Sequence, residues 1–154
     1  MAPSWSVLDR RVVDDADNLT LLRWATLALF FTTLAHGADH LLGQAPRPFD
    51  SRFEITVIGT LINLAAYTAI GFSWLHLPRA PQVAATCGFV AALLTVAVHI
   101  APHWSAFSDS YWDLSVNAIS WVIMLALIGA AFATGVIGTL VAVTTRANES
   151  RSFG

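Results

Sequence analysis

Two histidine pairs are the residues of this sequence best suited to chemistry. Residues 36–40 read His-Gly-Ala-Asp-His, and residues 99–103 read His-Ile-Ala-Pro-His. Side chains four positions apart lie on one face of a helix, so each pair can offer two imidazoles to one metal ion. One such spacing is weak evidence for a site. Two of them at corresponding places in the chain favour a shared function.

The two pairs belong to an internal repeat. At an offset of 63 residues, five positions of the first pair's segment are identical in the second: Ala28, Thr32, His36, Ala38 and His40 match Ala91, Thr95, His99, Ala101 and His103. At an offset of 59 residues, DSRFEITV (50–57) aligns with DSYWDLSV (109–116), with three identities and four conservative replacements. Because both matches occur in the same order, the sequence predicts a tandem duplication.

The repeat predicts a metal site with ligands from both copies. We predict four histidine ligands: His36, His40, His99 and His103. Three nearby carboxylates are candidate further ligands or hydrogen-bond partners of the histidines: Asp39, Glu54 and Asp113. Such a set suits zinc, copper or a non-haem iron or manganese centre. Asp50 and Asp109 are further carboxylates in the predicted loops.

Other uses of these histidines stay open at the level of sequence. They could lie at the membrane boundary bonded to water or lipid, relay protons, or ligate haem. Haem is less favoured, because residues four apart rise only about 6 Å along a helix, which is too close for two stacked haems. Pro102 stands where the first copy has Asp39, and should end or kink the third helix before His103. That departure weakens the symmetry of a four-histidine site.

Three further groups of polar residues have plain structural interpretations. Ser51 with Glu54, and Ser110 with Asp113, have the spacing of capping boxes that open the second and fourth helices. Two asparagines within those helices are expected to form interhelical hydrogen bonds: Asn63 and Asn117. His76 has no counterpart in the repeat and is expected at the membrane boundary.

Composition indicates a lipid environment for these elements. Of 154 residues, 56% are hydrophobic and only 12% are charged, and the mean hydropathy is +0.63. Soluble domains carry about a quarter charged residues. Four apolar segments, about 19–42, 55–77, 83–101 and 114–143, are near the length that a membrane helix needs. The single cysteine, Cys87, lies inside one of them and is expected to be a small buried apolar residue.

These segments predict an all-α, integral membrane four-helix bundle built from two copies of a helical hairpin. Copy one covers about 19–77 and copy two about 83–143, within a membrane domain of 19–143. A cytoplasmic segment, 1–18, precedes this domain and a cytoplasmic tail, 144–154, follows it. Because each copy has two spans, a pseudo-twofold axis along the membrane normal should relate them. The histidine pairs would then meet near the outer membrane face.

Arginine placement predicts the orientation. All eight basic residues are arginine, and they form no basic patch, which excludes a nucleic-acid partner. If all four segments span, six arginines lie on one side and only Arg47 and Arg52 on the other. An excess of positive charge marks the cytoplasmic side, so we predict a multi-pass protein of the cell membrane with both termini cytoplasmic.

The strings HGADH and HIAPHWSAFSDSYWD, the four-span layout and the absence of lysine resemble small integral membrane proteins of high-GC actinobacteria. The resemblance covers most of both hairpins and implies the architecture but no mechanism. The leading hypothesis is a metal-binding membrane protein. A small transporter or proton-coupled carrier is the second, and an accessory subunit of a larger membrane complex is the third. The lipid bilayer is the expected partner, with a homo-oligomer or a larger complex as further possibilities.

Overall fold

The chain forms four long helices. A computed structural model describes residues 5–42, 52–102, 107–112 and 116–152. The helices are α1 (Trp5–Leu42), α2 (Arg52–Trp74), α3 (Ala80–His99) and α4 (Ala118–Ser152). Each contains a stretch that is long and apolar enough to cross a membrane: Ala16–Leu42, Val57–Trp74, Ala80–His99 and Ala118–Ala147. The predictions of an all-α protein and of four candidate membrane spans are confirmed, and the fold fits a multi-pass membrane protein.

The helices pack as a four-helix bundle. Each of α1 and α3 packs against both α2 and α4, whereas α1 and α3 meet each other only narrowly across the bundle. Sequential helices are therefore neighbours, and α1 and α3 occupy opposite corners. This is the placement that a twofold axis would require. The duplication and its symmetry axis remain predictions from the sequence, because equivalent positions differ in burial: Ala91 is fully buried while Ala28 is exposed.

Small residues fill the centre of the bundle and large apolar residues cover its outside. The core cluster consists mostly of alanines: Leu29, Ile62, Ala65, Ala66, Ala69, Ala91, Ala92, Leu127 and Ala131, with Cys87 packed against it. Several large side chains on the outside are more than half exposed: Phe31, Leu64, Leu93 and Phe132. Small residues let membrane helices approach closely, and lipid rather than water suits such an apolar surface.

The two hairpins differ in how closely their helices approach. In the second hairpin (α3–α4), a Cβ added to Gly88 would lie 2.4 Å from the backbone nitrogen of Gly135. One added to Gly138 would lie 2.5 Å from the backbone nitrogen of Ala85. On α1 and α2 of the first hairpin, no described atom beyond the helix's own backbone lies within 4 Å of such a Cβ at three glycines: Gly37, Gly59 and Gly71. The second hairpin thus packs backbone against backbone, while the first leaves space.

Helix α3 ends where its sequence predicts. The backbone N–H groups of Ile100 and Ala101 both donate to the Val96 carbonyl, and the helix stops at His99. Pro102 cannot continue the helix because it has no N–H and clashes with the preceding turn. His99 is thus the last helical residue, whereas His36 and His40 both lie within α1. His103 itself lies outside the described residues.

Helix α4 begins about one turn later than the apolar pattern predicts. Asn117 precedes the helix, and its side-chain oxygen accepts a hydrogen bond of 2.9 Å from the Ser120 N–H, so Asn117 is the N-cap. The capping role predicted for Ser110 is wrong, because Ser110 is too far ahead of Ala118 to cap the helix. The prediction for Asn117 as a residue within the helix is also wrong. Asn63 donates to the Gly59 carbonyl of its own helix, 2.7 Å away, rather than to a neighbouring helix.

Candidate metal centre

Three of the four predicted histidines meet at one end of the bundle. His36 and His40 lie one turn apart on α1, and His99 is the last residue of α3. The Nε2 atom of His36 is 3.1 Å from Nε2 of His99 and 3.2 Å from Nε2 of His40. One ligand atom from each residue lies within 4.8 Å of the others, and His36 and His99 are buried. We call these three residues the histidine cluster.

The spacing of the nitrogens is that of neighbouring ligands around one small ion. Metal–nitrogen bonds of about 2.0–2.1 Å place tetrahedral ligand atoms about 3.3 Å apart and adjacent octahedral ones about 2.9 Å apart. The distances of 3.1 Å and 3.2 Å fall between these values. A buried group of three imidazoles with this spacing could hold a metal ion.

A hydrogen bond between two rings accounts for only one of the two short contacts of His36 Nε2. A neutral imidazole nitrogen carries either one hydrogen or one lone pair. Nε2 of His36 faces Nε2 of both other rings, so it can form a good hydrogen bond with only one of them. A cation at the centre would accept a lone pair from all three rings at once.

The segment after α3 folds back and orients His99. The N–H groups of Asp109 and Tyr111 donate to the carbonyls of Val98 and His99, at 2.9 Å and 3.0 Å. These bonds satisfy carbonyl groups that the end of a helix would leave without partners. Residues 108–111 are consequently buried against the end of the helix.

Asp109 fixes which nitrogen of His99 is available. Nδ1 of His99 is 3.0 Å from the Asp109 backbone carbonyl and 3.5 Å from its carboxylate oxygen Oδ2. Nδ1–H donates to this carbonyl, which leaves the lone pair on Nε2, the atom that faces the other histidines. Such a partner behind a ligating histidine orients the ring and raises its basicity. The buried ring of Tyr111 packs against the His99 ring at 4.7 Å between centroids.

The carboxylates predicted near the site have different outcomes. Asp39 is buried and accepts a 2.9 Å hydrogen bond from the Ser120 hydroxyl on α4, so it ties α1 to α4. It is not a member of the group whose ligand atoms converge. The side chain of Glu54 and all of Asp113 lie outside what the structure describes.

Two residues that support His99 have roles that the sequence does not reveal: Asp109 and Tyr111. The sequence predicts Asp109 only as a loop carboxylate, although its match with Asp50 in the repeat is a signal that it has a role. Tyr111 is almost fully buried, with only 1% of its surface exposed, and its ring lies against that of His99. Trp112, beside it, is 68% exposed and donates its indole N–H to the Ile100 carbonyl at 3.0 Å. Residue type alone does not show that Tyr111 is buried while Trp112, the next residue, is exposed.

Comparisons with known proteins give no precedent for this site. No family model, no curated protein and no solved structure matches the chain. Function is therefore argued from the geometry of the histidine cluster and its surroundings.

Proposed function

We propose that this protein is a multi-pass membrane protein that binds a transition metal ion through Nε2 of His36, His40 and His99. The observation that carries the proposal is the convergence of these three nitrogens, at 3.1 Å and 3.2 Å, in a mostly buried group. Imidazole ligands suit zinc, copper and iron better than they suit magnesium or calcium. His103 completes the proposal as a fourth ligand predicted from the sequence.

We also propose the membrane orientation that the sequence predicts. The site lies near the outer face of the cell membrane, and both termini are cytoplasmic. The arginine distribution supports this orientation, with Arg23 and Arg79 at the end of the bundle opposite the histidine cluster. The resemblance to small actinobacterial membrane proteins stays a prediction from sequence strings.

Haem fits the cluster poorly. Two axial histidines with iron between them need their nitrogens about 4 Å apart in a straight line, and the porphyrin must pass between the rings. Nε2 of His36 is closer than this to Nε2 of both His40 and His99, and in either pair the remaining imidazole stands beside the two rings. A single small ion uses all three rings without that conflict.

A proton relay is the second candidate function. A continuous chain of contacts runs from Asp109 through His99 and His36 to His40, and imidazoles in series can pass protons. This reading predicts proton flux across proteoliposomes that is lost in a His36→Ala variant. A metal centre does not require such flux, so the measurement separates the two functions.

The test of the metal proposal is elemental analysis of purified protein. The His36→Ala/His99→Ala double variant removes two of the three ligands. His76→Ala is the matched control, because His76 is an exposed histidine in the turn between α2 and α3, where it contacts Arg23. We expect about one transition metal ion per chain in the wild type and in the control, and loss of that metal in the double variant.

Two results would overturn the metal proposal. One is a wild-type protein that takes up no transition metal when zinc, copper, iron and manganese are supplied in turn. The other is a double variant that keeps its metal. Circular dichroism and gel filtration in detergent show whether the double variant keeps the helical fold, so metal loss is not confused with unfolding.

A further inference from the structure

A cavity of about 270 Å³ adjoins the histidine cluster. It lies between α1 and α2, and Val98 and His99 of α3 form its back wall. All three clustered histidines line it, and no described residue of α4 does. The cavity therefore lies on the first-hairpin side of the bundle, which faces the surrounding lipid if the four helices span.

Two glycines on facing helices keep this cavity open. Gly37 on α1 and Gly59 on α2 both line it, and a Cβ at either position would meet no described atom within 4 Å. A larger side chain at Gly59 would project into free volume rather than into a neighbouring helix. Larger side chains at these two positions would therefore fit without a clash, but they would fill the cavity.

Apart from the histidines, the cavity wall is mainly apolar. Leu41, Ile58, Ile62 and Val98 supply hydrocarbon surface. The other polar lining residues are Thr33, Thr60 and Asn63. Two of them donate hydrogen bonds within their own helices, the Thr33 hydroxyl to the Leu29 carbonyl and the Asn63 amide to the Gly59 carbonyl. An apolar site with a few convergent polar groups typically binds a small molecule. The apolar wall contacts the body of the molecule, and the polar groups of the site orient it.

We propose that this cavity binds a neutral, lipid-soluble molecule whose single Lewis-basic head coordinates the metal and whose apolar body occupies the space between α1 and α2. The inference rests on the proposed metal site. Three imidazole ligands leave a coordination position for an outside ligand, as in catalytic rather than structural zinc sites. Five- or six-coordinate iron or copper keeps such a position even with His103 as a fourth ligand.

The choice of a neutral ligand follows from the cost of burying charge. The apolar wall offers no counterion for an anionic or cationic body, and transfer of an unpaired charge into such surroundings is expensive. Each buried methylene, in contrast, contributes about 0.8 kcal/mol. A ligand with an alkyl body should therefore bind more tightly than its bare head group.

The experiment uses full-length protein loaded with cobalt(II), whose visible absorption bands report changes in coordination. The probes are 4-butylpyridine, pyridine and azide, each titrated under the same conditions. We expect 4-butylpyridine to shift the cobalt bands with at least about tenfold tighter affinity than pyridine, and azide, which has no apolar body, to bind more weakly than 4-butylpyridine. Replacing Gly59 with Ala, Val and Leu in turn should weaken 4-butylpyridine binding progressively, by about tenfold or more for Gly59→Leu, with cobalt content unchanged.

Gly71→Leu is the matched control. Gly71 is on the same helix, and a Cβ added there would also meet no described atom of a neighbour within 4 Å, but Gly71 does not line the cavity. Its variant should bind 4-butylpyridine as the wild type does. Cobalt bands that no probe shifts, equal affinity for pyridine and 4-butylpyridine, or equal effects of the Gly59 and Gly71 variants would overturn this inference while leaving the metal proposal intact. Failure of the wild type to bind cobalt or any other transition metal would overturn both.

Discussion

In the second hairpin Gly88 and Gly138 lie against the backbone of the facing helix, whereas in the first hairpin an added Cβ at Gly37, Gly59 or Gly71 would meet no described atom of a neighbour. His99 comes from the tightly packed hairpin, and its ring is held by Asp109 and Tyr111. His36 and His40 come from the loosely packed hairpin and line the cavity. In the proposed metal site, one hairpin would thus supply a fixed ligand, and the other would supply two ligands and the space beside them.

This difference shows how one fold can hold a site firmly and still leave room for a ligand. If all contacts were as close as those between α3 and α4, there would be no cavity beside the histidines. If all were as loose as those between α1 and α2, the spacing of the three nitrogens would vary. Substitutions at matched positions of the two hairpins test this difference.

The largest difference is expected between two variants that each add one methyl group, one in the second hairpin and one in the first. In Gly88→Ala, the new Cβ would lie 2.4 Å from the Gly135 nitrogen and 2.6 Å from the Ala131 carbonyl oxygen, so α3 and α4 must separate. We expect a loss of about 3 kcal/mol in the free energy of unfolding. Gly59→Ala has free space and should be neutral or stabilising by up to about 1 kcal/mol, because alanine favours a helix. Unfolding in mixed micelles measures both, and equal losses would contradict the difference between the hairpins.

A smaller effect is expected at a pair of positions that the repeat makes equivalent. Ala91 is fully buried in the core, whereas Ala28 is exposed. Ala91→Leu should cost about 2 kcal/mol through overpacking, and Ala28→Leu should change stability by less than about 0.5 kcal/mol. The same unfolding assay applies. Equal costs at the two positions would show that they occupy equivalent environments, as strict twofold symmetry requires.

The smallest effect concerns the carboxylates behind the site. Asp109→Asn weakens the polar support of His99, and we expect metal affinity to fall by about tenfold. Asp39→Asn, on the loosely packed hairpin, should change affinity by less than about twofold, because Asp39 bonds Ser120 rather than joining the convergent ligand atoms. Competition with a chromogenic chelator measures both affinities. A greater loss of metal affinity in Asp39→Asn than in Asp109→Asn would contradict the supporting role assigned to Asp109.

Much of the fold could be predicted because apolar length and helix breakers are local properties of the sequence. Pro102 ends α3 before it, as expected, since a proline blocks helix bonding wherever it occurs. The start of α4 was placed too early because the apolar residues Leu114 and Val116 continue the hydrophobic pattern ahead of the helix. The cap at Asn117 decides that boundary, and hydropathy alone does not show it.

Less of the site could be predicted because it depends on how the helices rotate and pack. The spacing of His36 and His40 already placed them on one face, and the repeat pointed to His99. The repeat also implied equal environments for Ala28 and Ala91, but the neighbours of each helix decide which face is buried. The contact of His99 with Asp109 requires the chain to reverse after α3, and the sequence contains no periodic pattern that specifies this reversal.

The parallel course of α1 and α3 has an electrostatic consequence for the site. His40 lies in the last turn of α1 and His99 in the last turn of α3, so the carboxyl ends of two helices come together there. Each such end carries a partial negative charge of about half an electron. Three neutral imidazoles cannot balance a divalent cation, but two helix ends, together with the nearby carboxylate of Asp109, give the site a negative potential. The bundle therefore favours cations over anions at this position through its backbone as well as through its side chains.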